Sequence, residues 1–113
     1  MEKVDFLPLG SIVKIRGSLR KTVIVGRGLM TIVGDKALFF DYGGALYPEG
    51  IVGDQIIYFN HSDVEEVVFR GFENEENAEM IRNLHNWMEK SDAEKGNPYE
   101  INRKNGRTGE GSL

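Results

Sequence analysis

Short runs that alternate between apolar and polar residues fill the first two thirds of the chain. Residues 11–16 alternate so that Val13 and Ile15 share one face of a strand. Further runs rich in β-branched and aromatic residues span 21–25, 29–33, 37–42, 55–59 and 64–72. The pattern predicts five to six short strands, the exact number depending on how residues 21–33 are divided.

Glycine and small polar residues separate these runs. Gly26-x-Gly28 starts either a new strand or a bulge within a single bent strand. Gly43-Gly44, residues 48–50 and residues 53–54 predict turns. Residues 60–63 predict one tight turn of 3₁₀ type before the last strand. We therefore expect a small antiparallel barrel, partly open and SH3-like or Sm-like.

The last third of the chain has a helical pattern followed by an irregular one. Asn74 is a suitable N-cap, and Ile81, Leu84 and Met88 form an apolar stripe, so we predict an amphipathic helix at about 74–90 that packs on the sheet. After Ser91 the periodicity stops. We predict an α+β fold with a single domain at 1–90 and a flexible tail at 91–113.

The composition limits the chemistry that this domain can perform. The chain has 113 residues, two histidines and no cysteine, which excludes disulfides, thiolate metal clusters and cysteine nucleophiles. A net charge of −4 argues against binding of nucleic acid through a broad basic surface. No apolar run reaches the roughly 18–20 residues that cross a membrane, and the charged N-terminus does not resemble a signal peptide. We expect a cytoplasmic protein without membrane insertion.

The usual catalytic and cofactor-binding patterns are missing from the sequence. A dinucleotide-binding loop needs a third glycine where this chain has Thr31. His61 and His85 lie on different elements, whereas a catalytic zinc ion needs about three close ligands. We expect His61 to be a turn residue whose ring bonds nearby backbone, and His85 to flank the helix. The sequence thus predicts no enzyme, with no catalytic residues, no metal and no cofactor.

Two charged groups leave other interpretations open. Asp63, Glu65 and Glu66 are expected to form a solvated rim rather than a pair of catalytic carboxylates. Basic residues on the first strands, interleaved with aromatic side chains, make a small nucleic-acid-binding barrel a lesser alternative. The basic residues are Lys14, Arg16, Arg20, Lys21 and Arg27, and the aromatic ones are Phe39, Phe40, Tyr42 and Tyr58. Core packing is the simpler role for the aromatic residues.

Three stretches carry a resemblance to a known family. They are residues 6–13 (FLPLGSIV), residues 41–50 (DYGGALYPEG) and residues 59–72 (FNHSDVEEVVFRGF). Read together, they resemble the small proteins classified as domain of unknown function 4176. The resemblance implies accessory proteins of type VII secretion in Gram-positive bacteria, associated with polymorphic toxins that carry an LXG domain. It implies no catalytic residues.

From this resemblance we expect a non-enzymatic cytosolic chaperone or targeting adaptor that binds an LXG toxin before export. The alternative is an immunity protein that neutralises a cognate toxin domain. Binding would mask apolar toxin surface, either by pairing of edge strands or through an aromatic face. The candidate partner-binding residues are Tyr42, Leu46, Tyr47, Phe59 and Trp87.

Overall fold

The computed structural model of the chain describes residues 1–104. In chain order the elements are β1 (Ile12–Ile15), β2 (Lys21–Val33), β3 (Lys36–Tyr47), β4 (Ile57–Phe59), a 3₁₀ turn (His61–Asp63), β5 (Val64–Phe69), α1 (Glu75–Lys90), β6 (Glu94–Lys95) and α2 (Pro98–Lys104). The predicted tight turn before the last long strand is present. So is the predicted first helix, which Asn74 caps by accepting the N–H of Asn77 at 3.0 Å.

The five longer strands form one antiparallel sheet in the order β4-β3-β2-β1-β5, and β6 adds a short parallel pairing to β3. Along residues 1–104 no pairing joins β4 to β5, so the sheet keeps two edges. The predicted antiparallel sheet with a helix is therefore confirmed, whereas closure into a barrel is not.

The long β2–β3 hairpin shows how the central glycines are used. β2 is a single strand with a bulge between Ile24 and Gly26. Of the two structures predicted for Gly26-x-Gly28, a new strand or a bulge within one bent strand, the second is therefore the one observed. The turn predicted at Gly43-Gly44 is wrong, because both residues lie inside β3. A Cβ on Gly44 would lie 2.6 Å from Thr22 Cγ2 and 2.7 Å from the Val23 carbonyl oxygen. Glycine serves here to let two strands approach closely.

The core lies between the sheet, α1 and the N-terminal segment. Phe6 packs edge-on against Tyr42 with their ring centroids 5.9 Å apart, and Tyr42 in turn contacts Phe59 at 5.2 Å. Met88 brings α1 into the same cluster. His85 donates from Nε2 to the Val4 carbonyl oxygen at 2.6 Å, which ties the N-terminal segment to the helix. His85 thus lies on the helix flank, as expected.

The segment after α1 packs onto the sheet as far as α2, whereas the flexibility predicted for residues 91–113 stays a prediction. The N–H of Gly96 donates to the Phe39 carbonyl oxygen at 2.9 Å, and Ile101 on α2 is only 2% exposed. A Cβ on Gly96 would overlap the Phe40 ring, so this glycine permits close packing rather than flexibility. The rest of the predicted tail lies outside the described residues. None of the helices in residues 1–104 is long and apolar enough to cross a membrane.

Candidate functional site

A cluster of polar side chains lies under the link between β4 and β5. Asp41 on β3 is 1% exposed, and its Oδ2 accepts the backbone N–H of His61 at 2.8 Å. Lys95 Nζ donates to the same oxygen at 3.0 Å and lies 2.8 Å from Oδ1. A carboxylate this deeply buried is costly without such partners. The cluster therefore fastens both the link and the C-terminal segment to β3.

Asn60 and Asp63 extend this cluster through the 3₁₀ turn. The Asn60 amide accepts the Asp41 backbone N–H at 3.0 Å and donates to the Gly96 carbonyl oxygen at 3.0 Å. Asp63 Oδ2 accepts the Asn60 backbone N–H at 2.8 Å. Burial raises the pKa of Asp63 above its ordinary value, and the hydrogen bond from Asn60 partly opposes the shift. The predicted solvated rim is thus wrong for Asp63, which is buried, although Glu65 and Glu66 are exposed.

Tyr42 and His61 form a second buried contact beside the cluster. The Tyr42 hydroxyl accepts the Leu7 backbone N–H at 2.9 Å and lies 2.7 Å from His61 Nδ1. Because the hydroxyl oxygen already accepts from Leu7, its proton is free to donate to His61 Nδ1. Burial raises the pKa of Tyr42 to about 12. His61 is a turn residue as predicted, but its ring bonds a side chain rather than the backbone.

The structure separates the five predicted partner-binding residues. Tyr42 and Phe59 are fully buried, so neither offers a surface to a partner, and Leu46 is half-buried against the core. Tyr47 and Trp87 are about half exposed, and Trp87 stacks on Phe39 with the ring centroids 5.5 Å apart. Tyr47 and Phe39 are eight residues apart on β3, or roughly 26 Å at the rise of an extended strand. These five residues therefore do not share one exposed face.

The sheet also has an exposed apolar feature that the sequence pattern did not single out. β5 pairs only with β1 in the described chain, so its other side is a free edge. Val67 and Val68 are both more than 40% exposed, Phe69 is 57% exposed and Phe72, just beyond the strand, is 78% exposed. The run Val67-Val68-Phe69 predicts a strand, but only the strand order reveals that this strand lies at the edge. We refer to β5 with Phe72 as the β5 edge.

The basic and aromatic residues of the nucleic-acid alternative do not share a surface. Phe39, Phe40 and Tyr42 are buried in the core and leave no stacking platform. Arg20 pairs with Glu49 at 2.6 Å, which lowers the pKa of that glutamate, and Arg27 is itself buried. Within residues 1–104 no group of three or more histidine, aspartate or glutamate side chains is arranged to hold a metal ion.

The fold and these surfaces define a small α+β domain with an open antiparallel sheet. Asp41, Asn60 and Asp63 are buried and hydrogen-bonded, and the β5 edge is an exposed apolar feature. A family model described as Domain of unknown function (DUF4176) matches residues 6–80, and the chain belongs to that family. The resemblance read from three stretches of sequence is thereby confirmed. No curated protein and no solved structure matches the chain.

Proposed function

We propose that this protein is a non-enzymatic cytosolic chaperone or targeting adaptor that binds an LXG-type toxin before type VII export. The observation that carries the proposal is the β5 edge. An apolar edge strand with free backbone groups on one side is a liability in an isolated protein, since it invites pairing with other chains. In a binding protein the same feature provides the attachment point for a partner strand.

The occupant that we propose is an extended segment of the toxin, rich in apolar and basic residues. Residues 64–79 contain six glutamates and one arginine, and that arginine, Arg70, already pairs with Glu73 at 2.6 Å. Glu65 and Glu66 on β5 form no ion pair with any residue in the range 1–104. A strand that added its own lysines or arginines beside them would complement this charge and gain on-rate as well as specificity.

The strand order also supports the comparison with an SH3-like, partly open barrel. β5 returns beside β1 after the 3₁₀ turn, and both ends of the sheet order are short strands. In this proposal the gap between β4 and β5 is the open part of the barrel, and it keeps the β5 edge accessible to the partner.

Co-expression with an LXG toxin encoded beside this gene tests the proposal, using Phe69→Lys as the edge variant. The lysine removes about half of a phenylalanine's apolar area from the interface, or about 1–1.5 kcal/mol. We therefore expect affinity for the toxin to fall about five- to tenfold. Phe69 is exposed, so the fold should be unchanged.

Ile32→Lys is the matched control for this experiment. Ile32 is 71% exposed on β2. The register aligns Phe69 with Ile12 and Val23, so Ile32 lies nine residues further along β2, roughly 30 Å away by strand rise. The control should bind as the unmodified protein does. Equal binding by both variants, or loss only in Ile32→Lys, refutes the role of the β5 edge.

The immunity alternative is distinguished by which part of the toxin is bound. A chaperone should bind outside the toxic domain and leave cells that express this domain alone unprotected. Rescue of those cells favours the immunity protein instead.

A further inference from the structure

An open cleft of about 470 Å³ lies beside the end of β5, between the bulged part of β2 and the first turns of α1. Its lining residues are Leu9, Arg27, Phe72, Asn74, Glu76, Asn77 and Met80. Leu9, Phe72 and Met80 are exposed apolar side chains, and Arg27 is the only cationic group of the lining. The cleft thus combines an apolar rim with one positive charge, that of Arg27, and one negative charge, that of Glu76.

Arg27 is unusual among the arginines of the described chain because it is nearly buried and has no acidic partner. It is 9% exposed, whereas the more exposed Arg20, Arg70 and Arg82 each have a glutamate within 4.0 Å. Arg16 also has no acidic partner among the described residues, but it is exposed to solvent. A buried charge is normally paired with an opposite one. Burial also lowers the pKa of Arg27, and the electrostatic influence of Tyr42 partly opposes this shift.

The hydrogen bonds of Arg27 leave part of its guanidinium available. Nη1 donates to Asn77 Oδ1 at 2.7 Å and to the Leu7 carbonyl oxygen at 3.4 Å. Nε and Nη2 have no acceptor among residues 1–104. The nearby Glu76 carboxylate accepts from Asn74 Nδ2 at 3.1 Å instead of pairing with Arg27. Nε and Nη2 together form the edge of a guanidinium that binds a carboxylate through two parallel hydrogen bonds.

We propose that this cleft receives the carboxylate of an acidic side chain, flanked by an apolar residue, from the bound partner protein. The proposal rests on the proposed function and extends it, because Phe72 belongs both to the β5 edge and to the cleft rim. A side chain suits the site better than a chain terminus. Terminal carboxylates are captured by several free backbone N–H groups together, and one of the N–H groups in the first turn of α1, that of Asn77, is already occupied by Asn74.

Three short probes test the cleft without the toxin: acetyl-Phe-Asp-amide, acetyl-Phe-Asn-amide and acetyl-Phe-Gly with a free C-terminus. Each is titrated into the full ¹⁵N-labelled chain while the Arg27 Nε–H and the Phe72 and Met80 amides are followed by NMR. The aspartate probe should bind at least about tenfold more tightly than its asparagine isostere, as expected for one charge-assisted pair. Equal binding of the two, or stronger binding of the free C-terminus, overturns the proposal.

Substitutions assign the effect to Arg27. Arg27→Met should abolish the preference for aspartate, whereas Arg82→Met, on the exposed side of α1, should keep it. If Arg27→Met does not fold, Met80→Glu serves instead, because it places a competing carboxylate on the rim and should weaken the aspartate probe at least about tenfold. An unchanged preference in whichever of these variants folds overturns the assignment.

The outcomes also separate this inference from the proposed function. Phe69→Lys should leave probe binding intact while it weakens toxin binding. If the protein binds the toxin through the β5 edge but does not distinguish the aspartate probe from the asparagine probe, the proposed function stands and the proposed carboxylate site is refuted.

Discussion

Replacing Tyr42 by phenylalanine removes a single oxygen atom from the protein interior. The ring should keep its contacts with Phe6 and Phe59, so the packing of the core is preserved. Two hydrogen bonds are lost, one from the Leu7 N–H at 2.9 Å and one to His61 Nδ1 at 2.7 Å. The variant therefore tests whether this residue stabilises the fold or contacts a partner.

The expected loss of stability depends on whether the Leu7 N–H and the His61 ring can find new hydrogen-bond partners in the variant. The Leu7 N–H is buried and keeps no acceptor, which costs about 1–3 kcal/mol. His61 is half-buried, and replacing its hydrogen bond by water costs at most about 1 kcal/mol. Together we expect a loss of about 1–4 kcal/mol, a substantial part of the roughly 5–15 kcal/mol that stabilises a typical domain.

Urea unfolding followed by the fluorescence of Trp87, the single tryptophan, measures this loss directly. Tyr47→Phe is the matched control: Tyr47 is half exposed, and we expect its substitution to change stability by less than about 0.5 kcal/mol. Toxin affinity should be unchanged in both. A stability loss below about 0.5 kcal/mol in Tyr42→Phe, or weaker toxin binding at full stability, refutes the reasoning.

The pH dependence gives an independent check of the same residue. The pKa of Tyr42 is raised to about 12 in the folded state, against 10.0 for an ordinary tyrosine. A raised folded pKa favours the fold below the unfolded value, and this contribution is lost as the pH rises through the folded value. The stability advantage over Tyr42→Phe should thus shrink between about pH 10 and 12. If the stability advantage stays constant across this pH range, the pKa of Tyr42 is not raised in the folded protein and the reasoning is refuted.

Two further variants test the polar cluster and the C-terminal segment. The pKa of Asp63 is raised by burial, so its contribution to stability is present below its unfolded pKa of about 4 and lost as the pH rises through the folded value. Relative to Asp63→Asn, the unmodified protein should therefore lose stability in urea unfolding from about pH 4 upward, and a difference independent of pH argues against the effect. Ile101→Ala should cost about 2–4 kcal/mol in thermal unfolding if α2 is part of the cooperative unit, and an unchanged midpoint shows that it is not.

The local structure was largely predictable because periodicity and capping are local properties. The alternation in β1, the 3₁₀ turn and the Asn74 cap follow from residues close together in the sequence. One error came from glycine, namely the turn predicted at Gly43-Gly44. At Gly44 and Gly96 the missing Cβ makes room for Thr22 and for the Phe40 ring, which are distant in sequence. A glycine in a turn and a glycine under a close neighbour look the same until the fold is known.

The site was less predictable than the fold because exposure depends on strand order. Tyr42 and Phe59 have the composition of a binding surface but are buried in the core, Phe59 even though β4 is an edge strand. Val68 and Phe69 have the composition of a core but are exposed on the opposite edge strand, β5. In the sequence, nothing distinguishes Arg27 from the other basic residues on the strands. Its isolation from any carboxylate emerges only when β2 meets α1.

The extent of the family match helps to choose among the exposed surfaces. The matched residues, 6–80, include β5 and the whole lining of the Arg27 cleft. Trp87, α2 and β6 fall beyond the match. A binding function that belongs to the family must use residues that the family model covers, which places the β5 edge and the cleft ahead of Trp87. Trp87 would then serve a feature particular to this chain, or only the packing of α1 on Phe39.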